Sequence, residues 1–140
     1  MRVLAIDYGD ARTGIAISDS TGSICGNAYT MHEKNLKNVV ELIAGVAQEV
    51  SAEVLVLGYP KNMDGSVGPR AEKAELLKGL LESATSLPVV LWDERRTTVD
   101  AHRILTEAGR RGKARKDKVD AVAATLILEG YLGTLTKPNR

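Results

Sequence analysis

The sequence predicts an α/β domain in which helices flank a mixed five-stranded sheet: a three-strand antiparallel meander plus two parallel strands. Short apolar runs separated by Gly- and Ser-containing turns open the chain, which is typical of a meander. Apolar runs then alternate with segments of helical periodicity, which is typical of parallel strands joined by right-handed crossovers. The 140 residues, 44% of them hydrophobic, suit one domain with one core. We expect that domain to span residues 1–133, followed by a frayed polar tail at 134–140.

Three strands are predicted in the meander, at residues 3–8, 15–18 and 24–31. The first is an apolar run that begins at Val3, and Gly9 and Gly14 bracket the turn that follows it. The stretch Asp19–Gly22 is a turn by composition, since Asp, Ser, Thr and Gly favour turn conformations. Turns this short join neighbouring strands, so the three strands pair antiparallel.

Helical spacing of apolar residues predicts four helices, at residues 36–47, 70–84, 99–108 and 116–131. Two further strands are predicted at 53–58 and 88–92, and the first of these is continuously apolar, as expected of a central strand covered on both faces. Crossovers make these strands parallel to the first one. Their carboxyl ends then share one edge of the sheet, where ligands bind in such folds.

Acidic side chains fall where apolar packing is expected. Asp7 ends the first strand, Asp93 and Glu94 follow the fifth, and Asp120 lies among small apolar residues of the last helix. Carboxylates enter a core only when they are paired or bind a metal. If they converge, a hard divalent cation between them relieves their repulsion and supports phosphate chemistry. Strand alternation lets only one of Asp93 and Glu94 face such a site, and a surface ion pair with the following arginines is the alternative for both.

A long Gly- and Pro-containing loop at residues 59–69 leads into the second helix. Loops of this length in compact domains usually bind something, and we expect Lys61, Asn62 and Ser66 to contact phosphate oxygens. The loop lacks the Gly-Lys-Ser/Thr ending of a P-loop, so that class of nucleotide site is excluded.

Basic residues cluster before Asp120, although the formal net charge of the chain is only +1. Residues 110–118 hold six basic side chains against one acid. Such a run is either a solvated loop or a contact with a nucleic-acid backbone. We favour the second, and the predicted nucleic-acid contacts are Arg95, Arg96, Arg110, Arg111, Lys113, Arg115 and Lys116.

Four ordered motifs closely resemble those of the YqgF/RuvX family, described as Holliday junction resolvases and as pre-16S rRNA nucleases. They are Asp7-Tyr8-Gly9 with 14–19, Gly58-Tyr59-Pro60 with 62–66, Asp93-Glu94-Arg95 with Thr97-Thr98, and 120–124. The resemblance implies an RNase H-like fold, with Asp7, Glu94 and Asp120 as catalytic acids. Many nucleases of that superfamily carry an acid at the end of the strand after the first helix. This chain has Gly58 there, so Glu94 must serve instead.

We therefore expect a cytoplasmic endonuclease that uses one or two Mg²⁺ or Mn²⁺ ions, held by Asp7, Glu94 and Asp120, to cleave structured nucleic acid. The substrate is precursor rRNA or branched DNA, and the protein is a monomer or weak homodimer with no membrane partner. The single cysteine, Cys25, excludes a disulfide within the chain and fits a reducing compartment. Two alternatives remain: a non-catalytic nucleic-acid-binding module in RNA processing or transcription, and an ATP-binding domain of the actin and sugar-kinase type.

Overall fold

The structure is a computed structural model that describes residues 1–62, 64–96 and 113–136, with the backbone alone for 96, 113–120 and 136. Its strands are β1 (Val3–Tyr8), β2 (Arg12–Ser18), β3 (Cys25–His32), β4 (Val54–Tyr59) and β5 (Val89–Asp93). Its helices are α1 (Leu36–Glu49), α2 (Pro69–Thr85) and α3 (Lys113–Thr136), and a 3₁₀ turn spans Glu94–Arg96. None of the helices in these ranges is long and apolar enough to cross a membrane.

The strands form one mixed sheet in the order β3-β2-β1-β4-β5. The pairs β1–β2 and β2–β3 are antiparallel, and β1–β4 and β4–β5 are parallel. This arrangement confirms the predicted fold class. The carboxyl ends of β1, β4 and β5 therefore meet at one edge of the sheet, and that edge carries the candidate site.

The start of β2 differs from the prediction. The strand begins at Arg12, because the β1 ladder continues through the pairs Asp7 with Gly14 and Tyr8 with Thr13. Gly14 thus lies inside a strand, and the β1–β2 turn shrinks to three residues, 9–11. Gly9 is required in that turn, because a Cβ there would lie 2.6 Å from the carbonyl oxygen of Arg12.

The sheet separates two hydrophobic layers. Side chains of alternating parity point to opposite faces, so Leu4 and Ile6 pack toward α1 and α2 while Val3 and Ala5 pack toward α3. On the α3 face, Trp92 of β5 lies against the helix where Gly130 has no side chain. A Cβ on Gly130 would lie only 2.6 Å from the indole. This close approach fixes how α3 lies across the sheet.

The helices extend the predicted ranges by a few residues. The last helix begins at Lys113, so the second half of the basic run is helical, and it continues to Thr136, past the predicted domain end at 133. Lys, Arg and Ala are good helix formers, which explains the earlier start. The predicted helix at 99–108 and the tail beyond 136 lie outside the described residues.

Candidate active site

Two of the predicted acids meet at the shared strand edge. Asp7 lies near the end of β1, with the same parity as Val3 and Ala5, and so belongs to the α3 face. Glu94 is the first residue of the 3₁₀ turn after β5. Its carboxyl group shares a hydrogen bond with the side chain of Asp7. Two carboxyl groups lie this close to each other only when a proton or a cation lies between them.

The surroundings of Glu94 oppose the ionisation of its carboxyl group. Burial raises the pKa of the Glu94 carboxyl above its ordinary value. The positive charge of Arg70 and the hydrogen bond with Asp7 oppose the shift, and the neighbouring charge of Asp93 adds to it. A half-buried carboxylate beside a second one is costly to ionise without a cation, because both desolvation and like charge oppose it.

Gly58, at the end of β4, provides the room that Glu94 occupies. A Cβ on this glycine would lie 3.2 Å from Cδ and 3.4 Å from Oε2 of Glu94. It would also lie 2.8 Å from Cδ1 of Ile127 on α3. The missing side chain therefore lets a longer acid from the neighbouring strand end reach Asp7. This is the position at which the sequence lacks the acid expected of the wider superfamily.

Asp120, the third predicted acid, lies on α3 four residues before Ala124 and seven before Ile127, both buried against the sheet. The description of Asp120 covers its backbone only, so its convergence with Asp7 stays a prediction. Among the side chains that are described, no group of three His, Cys, Asp or Glu residues is close enough to hold a metal.

The donor chemistry of the Asp7 and Glu94 pair fits a hard divalent ion. Both supply carboxylate oxygens, which Mg²⁺ and Mn²⁺ prefer. A cation between them would take the place of the shared proton and balance the negative charge of both groups. These two residues, with Asp120 as the predicted third, are the ones that could hold it.

Asp93 forms an ion pair with a following arginine, which the sequence analysis gave as the alternative to a role in the site. Its carboxylate accepts two hydrogen bonds from Nε of Arg95, both at 3.0 Å, and one from Nη2 at 2.6 Å. This bonding holds the pKa of Asp93 below its ordinary value. Arg95 also borders the β4–α2 loop, since its Nη1 lies 3.4 Å from where a Cβ of Gly65 would be. Arg95, predicted to contact nucleic acid, is thus engaged with Asp93.

The β4–α2 loop is shaped by hydrogen bonds among its own polar side chains. Asn62 Nδ2 donates to Ser66 Oγ at 2.9 Å, and Ser66 Oγ donates to Asp64 Oδ1 at 2.6 Å. These bonds to Ser66 lower the pKa of Asp64. Lys61 lies over the ring of Tyr59, 5.6 Å from its centroid. Asn62 and Ser66 are exposed, so the predicted phosphate contacts are accessible while also holding the loop together.

The basic run is only partly described. Arg110 and Arg111 lie outside the described residues. The description of Arg96, Lys113, Arg115 and Lys116 covers the backbone only, which places Arg96 in the 3₁₀ turn and the others in the first turns of α3. Their contacts with nucleic acid stay predictions.

The sequence reasoning missed two cations at this edge, Arg70 and Lys73 of α2. They line a cavity of about 120 Å³ together with Tyr8, Gly9 and Asp10. The available signal was their place in the first turns of the helix that follows the long loop, but charged residues there are common on any solvated helix.

Solved structures show the same fold. Thermus thermophilus RuvC in complex with a Holliday junction substrate aligns over 96% of this chain and 97% of its own, with a TM-score of 0.61 and 13% identity. The fowlpox virus resolvase with Holliday junction DNA aligns over 98% and 100%, with a TM-score of 0.60 and 15% identity. A ROK hexokinase from Thermus thermophilus aligns over 74% of this chain and 38% of its own, with a TM-score of 0.51 and 22% identity. The fold is therefore RNase H-like, as predicted.

Sequence comparison identifies the family. A protein of Halothermothrix orenii named "Putative pre-16S rRNA nuclease" is 43% identical over 137 residues, which cover 98% of each chain. A protein of the same name from Clostridium novyi is 42% identical over 135 residues, covering 96% of this chain and 100% of its own. Residues 1–134 match the family described as "RuvX: Holliday junction resolvase". The resemblance seen in the four motifs is thus confirmed, and the chain belongs to the RuvX family.

Proposed function

We propose that the chain is a divalent-metal-dependent endonuclease that cleaves phosphodiester bonds of structured nucleic acid. Nuclease activity rests on its family and on the names of its curated relatives. The observation that carries the metal dependence is the contact between Asp7 and Glu94, two carboxyl groups held together at a strand edge. Carboxylates placed this way need a cation to be ionised together.

In this proposal Asp7, Glu94 and Asp120 hold one or two Mg²⁺ or Mn²⁺ ions. When bound, such ions supply Lewis acidity to the scissile phosphate and to the attacking water. Asp7 is fixed by the β1 ladder, which gives the site a rigid support. Glu94 lies in the space above Gly58, which Ile127 also borders. Asp120 would complete the site from α3, the helix that packs on the face where Asp7 lies.

Precursor 16S rRNA is the substrate that we propose first, because the curated relatives at about 40% identity carry that name. The role would then be ribosome biogenesis in the cytoplasm. A four-way DNA junction is the second candidate, because the family description names it. Basic side chains read backbone and shape more than sequence, so either substrate suits the predicted contacts. Its oligomeric state, monomer or weak homodimer, stays a prediction.

The test is a cleavage assay on both substrates with Mg²⁺, with Mn²⁺ and with EDTA. Wild-type protein is compared with Asp7→Asn, Glu94→Gln and Asp120→Asn. The matched control is Glu82→Gln, which removes an exposed acid that pairs with Lys78 on α2. We expect metal-dependent cleavage by the wild type and the control, and none by the three site variants. Undiminished cleavage by any one site variant would remove that residue from the site.

The two alternatives give different results in the same experiments. A non-catalytic module binds nucleic acid in EDTA and cleaves neither substrate with either metal. An ATP-binding domain binds ATP tightly. This alternative is tested because the chain shares its fold with a ROK hexokinase. ATP titration by calorimetry therefore belongs beside the nuclease assay.

A further inference from the structure

A second group of charges lies beside the carboxylate pair. Arg70 and Lys73 project from the first turns of α2 toward the β1–β2 turn, where they line the cavity with Tyr8, Gly9 and Asp10. The volume of about 120 Å³ is roughly four times the ~30 Å³ share of one water molecule in the liquid. That volume accommodates a phosphate group.

The cavity is positively charged next to a negatively charged site. Arg70 forms no ion pair with any residue that the structure describes. Its charge nevertheless reaches Glu94, since it opposes the rise in the pKa of that carboxyl group. Lys73 Nζ lies 2.9 Å from Asp10 Oδ1, and both side chains are more than half exposed, at 55% and 79%. The cavity thus carries two cations against one acid.

We propose that Arg70 and Lys73 bind a backbone phosphate of the nucleic-acid substrate, adjacent to the phosphate that is cleaved at Asp7 and Glu94. This inference rests on the proposed nuclease function and adds a site to it. Guanidinium and ammonium groups are the usual phosphate ligands, and an exposed ion pair such as Lys73 with Asp10 is weak enough to exchange partners. Asp10 then acts as a competitor that holds Lys73 when no phosphate is present.

Because Asp10 competes with the phosphate for Lys73, replacing Asp10 and replacing Lys73 should change the binding affinity in opposite directions. Lys73→Gln removes a phosphate ligand and should weaken binding. Asp10→Asn releases Lys73 and should strengthen binding. If Asp10 acts through Lys73, its gain disappears in the Lys73→Gln background, which a double-mutant cycle measures.

The experiment measures binding of fluorescently labelled precursor 16S rRNA and of a four-way DNA junction by anisotropy, in EDTA, between about 50 and 200 mM salt. Variants are Arg70→Gln, Lys73→Gln, Asp10→Asn and the Asp10→Asn/Lys73→Gln pair. Lys78→Gln is the matched control, because it removes a cation from the same helix away from the cavity. Thermal unfolding checks that each variant is folded.

We expect Arg70→Gln and Lys73→Gln each to flatten the slope of log affinity against log salt by roughly 0.7–0.9. Affinity at low salt should fall by about tenfold or more, as for the loss of a hydrogen bond to a charged group. Wild-type slopes in both variants, alongside normal wild-type cleavage, would overturn the phosphate site and leave the nuclease proposal standing. A wild type that neither binds nor cleaves either substrate would reject both.

Discussion

The space above Gly58 gives the sharpest prediction. In Gly58→Ala the new Cβ lies 2.8 Å from Ile127 Cδ1 and 3.2 Å from Glu94 Cδ. Carbon atoms pack best at roughly 3.5–4.0 Å, so Ile127 must withdraw by about 0.7 Å and the Glu94 carboxyl group by about 0.3 Å or more. Overpacking of this kind costs about 1–3 kcal/mol, against a gain of about 0.5–1 kcal/mol from replacing Gly in a strand. The net loss should be about 0.5–2 kcal/mol.

The cleavage rate of Gly58→Ala should fall as well as its stability. A catalytic group misplaced by about 1 Å can lose on the order of 10²-fold in rate. Because the Cβ displaces the Glu94 carboxyl group by about 0.3 Å or more, we expect cleavage at least about fourfold slower and a melting temperature lower by about 2–8 °C. Single-turnover cleavage and thermal unfolding measure the two effects separately.

Gly45→Ala is the control, since that exposed glycine of α1 has nothing within 4 Å of the Cβ position. It should unfold at an equal or higher temperature and cleave at the wild-type rate. If Gly58→Ala is less stable but fully active, the glycine makes room for Ile127 alone. If it is as stable and as active as the wild type, the whole account of Gly58 is refuted.

Three further predictions concern the charges. Mg²⁺ or Mn²⁺ at about 100 times its Kd should stabilise the wild type by about 2.7 kcal/mol in thermal unfolding, and Glu94→Gln should lose most of that gain. The pKa of Glu94 is raised above its ordinary 4.5, so its contribution to stability is complete below that pH and is lost as pH rises through the folded pKa. In EDTA, the free energy of unfolding should therefore fall as the pH rises from 4.5 through the folded pKa of Glu94. A fall of equal size in Glu94→Gln would count against this assignment to Glu94. Replacing Arg110, Arg111 and Lys113 by Ala should weaken binding and flatten its salt slope by about 0.7–0.9 per lost contact; an unchanged slope would leave the run as a solvated segment.

The sheet was predictable because its evidence is local. The apolar run that begins at Val3 marks β1 at the bounds that the structure has. The start of β2 was missed, because a glycine such as Gly14 is ambiguous between a turn and a strand until its ladder partner is known. Pairing with Asp7 decides it, and pairing is a long-range property that periodicity does not contain.

The site, like the sheet, was only partly predictable from local sequence patterns. Alternation indicated that only one of Asp93 and Glu94 could face Asp7, but β5 ends at Asp93 and a 3₁₀ turn then redirects the chain. The family resemblance, not the pattern, chose Glu94. Arg70 and Lys73 were missed because nothing in a helix sequence tells which charged residues will border a cavity formed with a distant turn.

The face of the sheet that α3 covers has a consequence for biosynthesis. Among the described helices α3 alone packs on the layer of Val3, Ala5 and Val56, and it begins at Lys113. Until α3 has been synthesised and has packed, this apolar face has no such cover, and a nascent chain in that state is open to chaperones and to aggregation. Asp120 arrives on the same helix. Closing the core and bringing the third predicted acid to the sheet therefore depend on the same helix, so the proposed site is incomplete until α3 has packed.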